Sequence, residues 1–228
     1  PCAPSPTGSR ASSGTPSTST TVWAIQDTAQ VAYVTYNPNN EGTGPAGILF
    51  YELHGMVMSP ATHRYLHLIH GTQLLNGGIM SGYVLDTDTT AAVSWTLSEA
   101  TIEDEDITIV TPVQPESNYF IGYFDASNVF HWRTSATLPF LTNGVDILYN
   151  QLGVGLTPIT GNNYACNYYV LLTTAYDGAK RILILPGQQQ YTSKTAAQSE
   201  NVTSLDLSYL HVQEFIILYQ ITYVRANG

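Results

Sequence analysis

The sequence predicts an all-β fold, an antiparallel β-sandwich or jelly-roll-like domain with one short surface helix and a flexible N-terminal arm. Short runs rich in β-branched and aromatic residues recur along the chain, and this composition is typical of strands. Glycine, proline, asparagine and aspartate separate these runs, which indicates turns between them. No internal repeat of fixed period is visible, which argues against a propeller or a solenoid.

The chain divides into an arm and one domain. Residues 1–20 are almost entirely proline, serine, threonine, glycine and alanine. Such a segment buries too little apolar area to offset the entropy that it loses on ordering. We therefore expect a flexible arm or linker over residues 1–20 and a β-rich domain over residues 21–228. A division of this domain within residues 134–165, where the pattern is looser, is the alternative.

The predicted strands are short and follow one another closely. Only residues 192–200 have a helical pattern, which predicts one short helix on the surface. The strand-like runs cover residues 22–25, 31–36, 48–54, 91–97, 107–110, 118–124, 129–133, 166–174, 179–185 and 215–224.

Two turns and the last strand organise the predicted sheet. Residues 125–128 form a turn signal, because Asp125 can bond to its own backbone and Asn128 tolerates positive φ. Asp177-Gly178 between two apolar runs predicts a hairpin. The last strand has the most strongly apolar face and is expected at the centre of a sheet. That face consists of Phe215, Ile217, Tyr219, Ile221 and Tyr223.

Composition and charge limit the partners of the chain. Charged residues make up only 11% of the sequence, and 16 tyrosines contribute to an uncharged, hydroxyl-rich surface. Such surfaces suit extracellular or virion proteins that pack against copies of themselves. The net charge of -10 argues against binding of nucleic acid or of an anionic membrane, since both need basic residues. No apolar run is long enough for a membrane span. The acidic run Glu103-Asp-Glu-Asp106 is interpreted as a solvated loop.

A histidine-rich stretch between Glu52 and His70 is the strongest candidate for a site. Ser59-Pro60 can open a helix or close a hairpin, and the β-type flanks and the early Gly71 favour the hairpin. His63 and His67 are four residues apart and share a face in either structure.

These histidines, with His54 on the facing arm, are candidate metal ligands for zinc or nickel. Their spacing matches no familiar zinc motif. We therefore predict no bound metal and no cofactor, and interpret the histidines as packing, hydrogen-bonding or subunit contacts.

The sequence predicts no catalytic residue. No Gly-x-Ser-x-Gly motif is present, and Cys166 lies within an apolar strand, where a thiol is usually inert. No pair of carboxylates stands out for glycosidase chemistry. The segment Asp86-Thr-Asp88 lacks the spacing of an EF-hand.

Aromatic residues suggest a second kind of function, carbohydrate binding. Trp95, Trp132 and Tyr65 could stack on sugar rings or line a subunit interface. Asn201-Val-Thr203 is a glycosylation sequon, relevant only on a eukaryotic secretory route.

An ordered series of short motifs extends across residues 48–224. The motifs are Glu52-Leu-His-Gly55, Ala61-Thr-His-x-Tyr-Leu-His67, Gly71-Thr-Gln73, Ile102-Glu-Asp-Glu-Asp-Ile107, Trp132-Arg133, Tyr149-Asn150, Asn167-Tyr-Tyr-Val170, Gly187-Gln188 with Tyr191, and Glu214-Phe215. This series resembles a family of virion structural proteins, tail-fibre-like or head-associated, of tailed phages and other large-genome viruses. The resemblance implies a virion component and no catalytic residue.

The expected function is that of a non-enzymatic viral structural protein, a fibre, spike or capsid-surface component located in the virion. Its expected partners are copies of itself in a symmetric homo-oligomer, for which a trimer is the commonest fibre arrangement, other virion proteins, and a host receptor or surface glycan. The alternatives are a carbohydrate-binding β-sandwich module and a metal-dependent enzyme that uses the His54/His63/His67 region.

Overall fold

The computed structural model describes residues 32–36, 47–51, 59–84, 94–114, 119–175, 177–178, 181–208, 210 and 214–225. The predicted arm, residues 1–20, and the predicted strand at residues 22–25 lie outside these ranges. The strands are β1 Ala32–Tyr36, β2 Gly47–Tyr51, β3 Thr72–Gly77, β4 Met80–Val84, β5 Ser94–Leu97, β6 Ala100–Asp104, β7 Ile107–Thr111, β8 Tyr119–Phe124, β9 Phe130–Ser135, β10 Leu148–Gln151, β11 Gly155–Pro158, β12 Ala165–Thr173, β13 Ile182–Tyr191 and β14 Phe215–Val224. The helices are α1 Pro60–Ile69 and α2 Lys194–Gln198.

The predicted all-β fold is confirmed, and its main element is a five-stranded sheet. The strands of this sheet follow the order β14-β12-β13-β8-β9, and only the β13–β8 pair is parallel. The smaller antiparallel groups are β3-β6-β7 and the pairs β1-β2, β4-β5 and β10-β11. After β9, at one edge of the sheet, the chain forms β10 and β11 outside it and returns as β12, next to the strand at the opposite edge.

Two hydrophobic clusters cover the two faces of the five-stranded sheet. All nine residues of β12 are buried, and alternate side chains belong to different clusters. Tyr168 and Val170 point into the first cluster, which also holds Trp95 and Ile102. Tyr169 and Leu171 point into the second, which includes Trp132. Both faces of the central sheet are therefore part of the core.

The position of the last strand differs from the prediction. β14 lies at the edge of the sheet and pairs with β12, which takes the inner position. A register shift in this pair leaves Leu218 as an extra residue, because Val170 pairs with Tyr219 whereas Leu171 pairs with Ile217. The shift reverses the two faces of the strand, as a β-bulge does. Of the five residues predicted to share a face, Phe215 and Ile217 contact the second cluster and Tyr219, Ile221 and Tyr223 the first.

The preferred hairpin at Ser59-Pro60 is wrong, because this segment begins α1. The Ser59 hydroxyl accepts a hydrogen bond from the Thr62 backbone N–H at 3.1 Å, and Pro60 occupies the first turn. Both features are typical of helix N-termini. Gly71, with φ of +55°, follows the last turn, so the glycine that argued against a helix is the residue that ends it.

The other local predictions are confirmed. Asp125 Oδ1 accepts hydrogen bonds from the N–H groups of Ser127 at 2.8 Å and Val129 at 2.9 Å, and Asn128 has φ of +59°. The Asp-Gly segment connects the antiparallel strands β12 and β13. The predicted surface helix is α2, with the Ser193 hydroxyl as its N-cap.

The acidic run is only in part a solvated loop. Glu103 and Asp104 end β6, and the Asp104 side chain is buried, where its Oδ1 accepts a hydrogen bond from the Thr72 hydroxyl at 3.1 Å. Glu105, with φ of +55°, lies in the turn to β7, and Asp106 is exposed. Because successive side chains of a strand point to opposite faces, Glu103 and Asp104 lie on opposite faces of β6.

Tyrosine hydroxyl groups join the smaller sheets to the first face of the central sheet. The Tyr219 hydroxyl donates to the Gly78 carbonyl at 2.8 Å and accepts from the Met80 N–H at 3.0 Å. The Tyr119 hydroxyl accepts from the Trp95 N–H at 3.2 Å. Backbone groups of the short strands β4 and β5 and of the loop at Gly78 thereby obtain hydrogen-bond partners.

Tyr219→Phe tests this connection. The variant keeps the ring but leaves the Gly78 carbonyl and the Met80 N–H without the hydroxyl that bonds them. We expect a loss of about 1–3 kcal/mol in the free energy of unfolding, measured by urea denaturation. Tyr65→Phe, on the exposed face of α1, is the matched control and should change stability little. Equal stabilities for the two variants would contradict the proposed connection.

Candidate functional site

The second face of the central sheet changes from apolar to polar along its length. Near Leu171 and Trp132 it is filled by aliphatic and aromatic side chains. Toward the start of β12 the same face carries Asn167, with Thr222 on the neighbouring β14 hydrogen-bonded to it. α2 lies over this polar end and contacts β12, β13 and β14. This polar face beneath a short helix is the candidate site of the described chain.

A bulge produces this polar end. Tyr168 pairs with Pro186 but Cys166 pairs with Gln190, so Gly187 and the two residues after it lie opposite the single Asn167. A Cβ atom on Gly187 would lie 2.8 Å from the Asn167 carbonyl oxygen, which is too close for any residue except glycine. Bulges redirect side chains and occur often beside functional sites.

The buried Asn167 amide holds α2 in place. Its Nδ2 donates to the Ala197 carbonyl at 2.7 Å and to Glu200 Oε2 at 2.6 Å. Its Oδ1 accepts from the Thr222 hydroxyl at 2.8 Å. Gln220 Nε2 donates to the same Ala197 carbonyl at 3.2 Å. The last turn of the helix is therefore bonded to two strands through side-chain amides.

Glu200 is the centre of this arrangement. Its Oε2 also accepts a hydrogen bond from the Tyr169 hydroxyl at 2.5 Å, and the carboxylate lies close enough to Tyr191 to raise the pKa of that phenol. Gln189 Nε2 in turn donates to the Tyr191 hydroxyl. We name these five residues, Asn167, Tyr169, Gln189, Tyr191 and Glu200, the Glu200 cluster.

Burial and the Glu200 carboxylate raise the pKa values of two phenols in the cluster. Burial, and then the hydrogen bond to Glu200, raise the pKa of Tyr169 far above its ordinary value. Burial, and then the neighbouring Glu200 carboxylate, raise the pKa of Tyr191 to about 12. At neutral pH the phenols are hydrogen-bond donors and the carboxylate is the acceptor.

A second titratable pair lies on the β8–β9 hairpin. His131 Nε2 is 3.0 Å from Asp125 Oδ2, and the imidazole stacks on Tyr123 with 5.5 Å between ring centroids. Burial raises the pKa of Asp125, but hydrogen bonds from His131 and from two turn N–H groups outweigh this effect and lower it. His131 is 1% exposed, so the pair braces the turn from inside the fold.

The candidate metal ligands are placed as follows. His54 lies outside the described residues, and His63 and His67 belong to α1, where only their backbone is described. Within the described ranges, no three or more histidine, cysteine, aspartate or glutamate side chains group together to hold a metal ion. The expected absence of a metal stays a prediction. Cys166 is fully buried in β12, and burial raises the pKa of its thiol, as the strand position indicated.

The structure corrects two of the three aromatic candidates. Trp95 is 2% exposed and Trp132 is 0% exposed, so neither ring can stack on a sugar or reach a second subunit in this fold. Each fills one of the two hydrophobic clusters instead. Tyr65 is 59% exposed on α1 and stays a candidate contact.

Sequence reasoning missed Glu200 and Tyr191, although a signal was present. Asn167 interrupts an otherwise apolar run, and a polar residue at such a position needs hydrogen-bond partners. Two of the sequence motifs, residues 167–170 and Gly187-Gln188 with Tyr191, meet in the cluster. Only the bulge, which the sequence pattern does not reveal, brings them beside Glu200.

No protein family, curated protein or solved structure matches the chain. In the part of the chain that the structure describes, no helix is long and apolar enough to cross a membrane.

Tyr191→Phe tests the electrostatics of the cluster. Unfolded tyrosine loses its proton near pH 10, whereas folded Tyr191 keeps it to about pH 12. Its contribution to stability is therefore complete below pH 10 and falls as the pH rises toward 12. We expect the variant to be less stable than wild type at neutral pH, and the difference to shrink between pH 10 and about 12. Urea denaturation across this range measures it, and a constant difference would contradict the assignment.

Proposed function

We propose that this chain is a non-enzymatic structural protein of a virion, a fibre, spike or capsid-surface component that assembles with copies of itself. The observation that carries the proposal is an uneven distribution of exposed apolar side chains. Among the described residues, eleven large apolar side chains are exposed, and seven of them lie in or within two residues of α1, β3 and β7. These seven are Tyr65, Ile69, Leu74, Leu75, Ile79, Val110 and Val113.

The most exposed members of this set are large aliphatic residues. Ile79 is 66% exposed, Ile69 is 61% exposed and Leu75 is 50% exposed. Tyr65 and Ile69 are four residues apart on α1 and therefore share one face of the helix. Exposed apolar side chains that lie together are typical of protein interfaces, and Leu74, Leu75 and Ile79 lie together on β3 and just after it.

The central sheet differs in this respect, because both of its faces are covered within the subunit. The three-stranded sheet β3-β6-β7 has one buried face, formed by residues such as Ile102 and Ile109, and an outer face that carries Thr101 and Val110. The region around β3 is therefore the part of the described chain best suited to contact a second copy.

The geometry of β3 favours contact through side chains. β3 pairs with β6, and a register shift between Leu74 and Asn76 takes Leu75 out of the ladder. Bulges on edge strands disfavour continuous pairing with another strand. Association at β3 would then bury Leu75 and Ile79 against the partner without extending the sheet.

The buried polar groups also support a structural role. The Tyr219 and Tyr119 hydroxyls bond backbone groups, and His131 with Asp125 braces a turn. Assignment to a virion, with other virion proteins as partners, rests on the resemblance of the ordered motifs and on the charged fraction of 11%. The net charge of -10 supports a partner that is neither nucleic acid nor an anionic membrane.

Aspartate substitutions in the exposed set test self-association. Size-exclusion chromatography with light scattering at micromolar concentration should show a homo-oligomer for the wild type. Leu75→Asp with Ile79→Asp should shift the chain to monomer, because two carboxylates would be buried at the interface. Both side chains are exposed in the subunit, so the fold should be retained.

Val145→Asp is the matched control, since Val145 is 73% exposed in a turn far along the chain from β3. It should leave the oligomer unchanged. A wild-type chain that is a stable monomer would overturn the proposal. Electron microscopy of the native assembly distinguishes a fibre or a lattice from a free domain.

A further inference from the structure

We propose that the Glu200 cluster is a binding subsite for a neutral sugar, with a hexose as the unit recognised. This proposal does not depend on self-association, because the cluster lies on the second face of the central sheet and the seven exposed apolar residues lie on other elements. The two tryptophans that the sequence suggested for sugar binding are buried, whereas Gln189, Tyr191 and Glu200 are exposed or partly exposed.

Glu200 offers a preorganised acceptor. An ionised carboxylate has about four acceptor positions. Asn167 and Tyr169 occupy about two of them. Acceptor positions are therefore left for a hydroxyl group of a ligand, and Glu200 is only partly buried, so a ligand can reach it. Hydrogen bonds to an ionised acceptor are about twice as strong as those between neutral groups.

Gln189 supplies the second polar contact. Its side chain is exposed, and its Nε2 is directed to the Tyr191 hydroxyl. The amide oxygen therefore points away from that bond and can accept from a second hydroxyl group. A carboxylate and an amide on either side of one tyrosine suit two neighbouring hydroxyl groups of a sugar ring.

Tyr191 supplies the apolar contact. Its ring is partly exposed, and its hydroxyl accepts a hydrogen bond from Gln189 Nε2. Binding sites for small polar ligands combine an aromatic surface with a few precisely placed polar groups. A hexose has both a less polar ring face and a row of hydroxyl groups, so it matches this combination.

Charge selects among sugars. The single formal charge of the cluster is the Glu200 carboxylate, in a chain of net charge -10. An acidic sugar such as a sialic acid would place a second carboxylate beside it, and like charges disfavour that contact. The one carboxylate also lacks the partner that glycoside hydrolysis requires. The geometry therefore points to retention of a neutral glycan without cleavage.

The experiment uses the whole chain, a glycan array with neutral and sialylated glycans, and saturation-transfer NMR with the neutral hexose glycan that binds best. Gln189→Ala is the main variant, because this exposed side chain can be shortened without disturbing the core. We expect it to weaken binding about fivefold to tenfold, the effect of one neutral hydrogen bond. Glu200→Gln should weaken it about tenfold or more, since the bond lost is charge-assisted.

Gln73→Ala is the matched control, because Gln73 is also an exposed strand glutamine but lies on β3. It should bind like the wild type. Absence of neutral-glycan binding by the wild type would overturn the proposal. So would a preference for sialylated glycans, or binding that Gln189→Ala leaves unchanged. An oligomeric wild type that binds no glycan would sink this inference alone, and a glycan-binding monomer would sink only the proposed self-assembly.

Discussion

Hydrogen bonds from tyrosine hydroxyls to backbone groups are the interaction on which the rest of this structure depends. The small sheets meet the central one through loops and short strands, whose N–H and carbonyl groups need partners beyond the strand ladder. Tyr168 illustrates the solution. Its ring is fully buried in the first hydrophobic cluster, while its hydroxyl donates to the Leu148 carbonyl and accepts from the Leu141 N–H at 3.1 Å. One side chain thus supplies both apolar contact area and polar satisfaction.

This role also accounts for the unusual composition. A chain with 16 tyrosines and 11% charged residues can be interpreted as a protein whose surface is built for contact. Much of the tyrosine content instead lies inside, at Tyr119, Tyr168 and Tyr169 among others. All nine residues of β12 are buried, so polar atoms next to this strand need hydrogen-bond partners that carry no charge. Tyrosine hydroxyls are such partners. The two surfaces that carry the functional proposals, around β3 and at the Glu200 cluster, include side chains that are exposed or partly exposed.

Local predictions held where the physical cause is local. The turn at Asp125 and Asn128 depends on side-chain bonds across four residues. The Asp-Gly segment lies in the connection between the paired strands β12 and β13. The Ser59-Pro60 segment was ambiguous because the same two residues suit a helix N-terminus and a turn. The segment forms a helix, because the ten residues Pro60–Ile69 before Gly71 are enough for nearly three helical turns.

By itself the sequence determined the all-β class, the positions of several turns and the surface helix, because each follows from the preferences of neighbouring residues. Only the tertiary structure decided which residues face which side and which of them meet. Two bulges, at Leu218 and opposite Asn167, reverse or interrupt the two-residue alternation that sequence reasoning assumes. The first divided the apolar residues of the C-terminal strand, which lies at the edge of the sheet, between its two faces. The second brought Asn167, Tyr191 and Glu200, which are far apart in sequence, to one polar cluster.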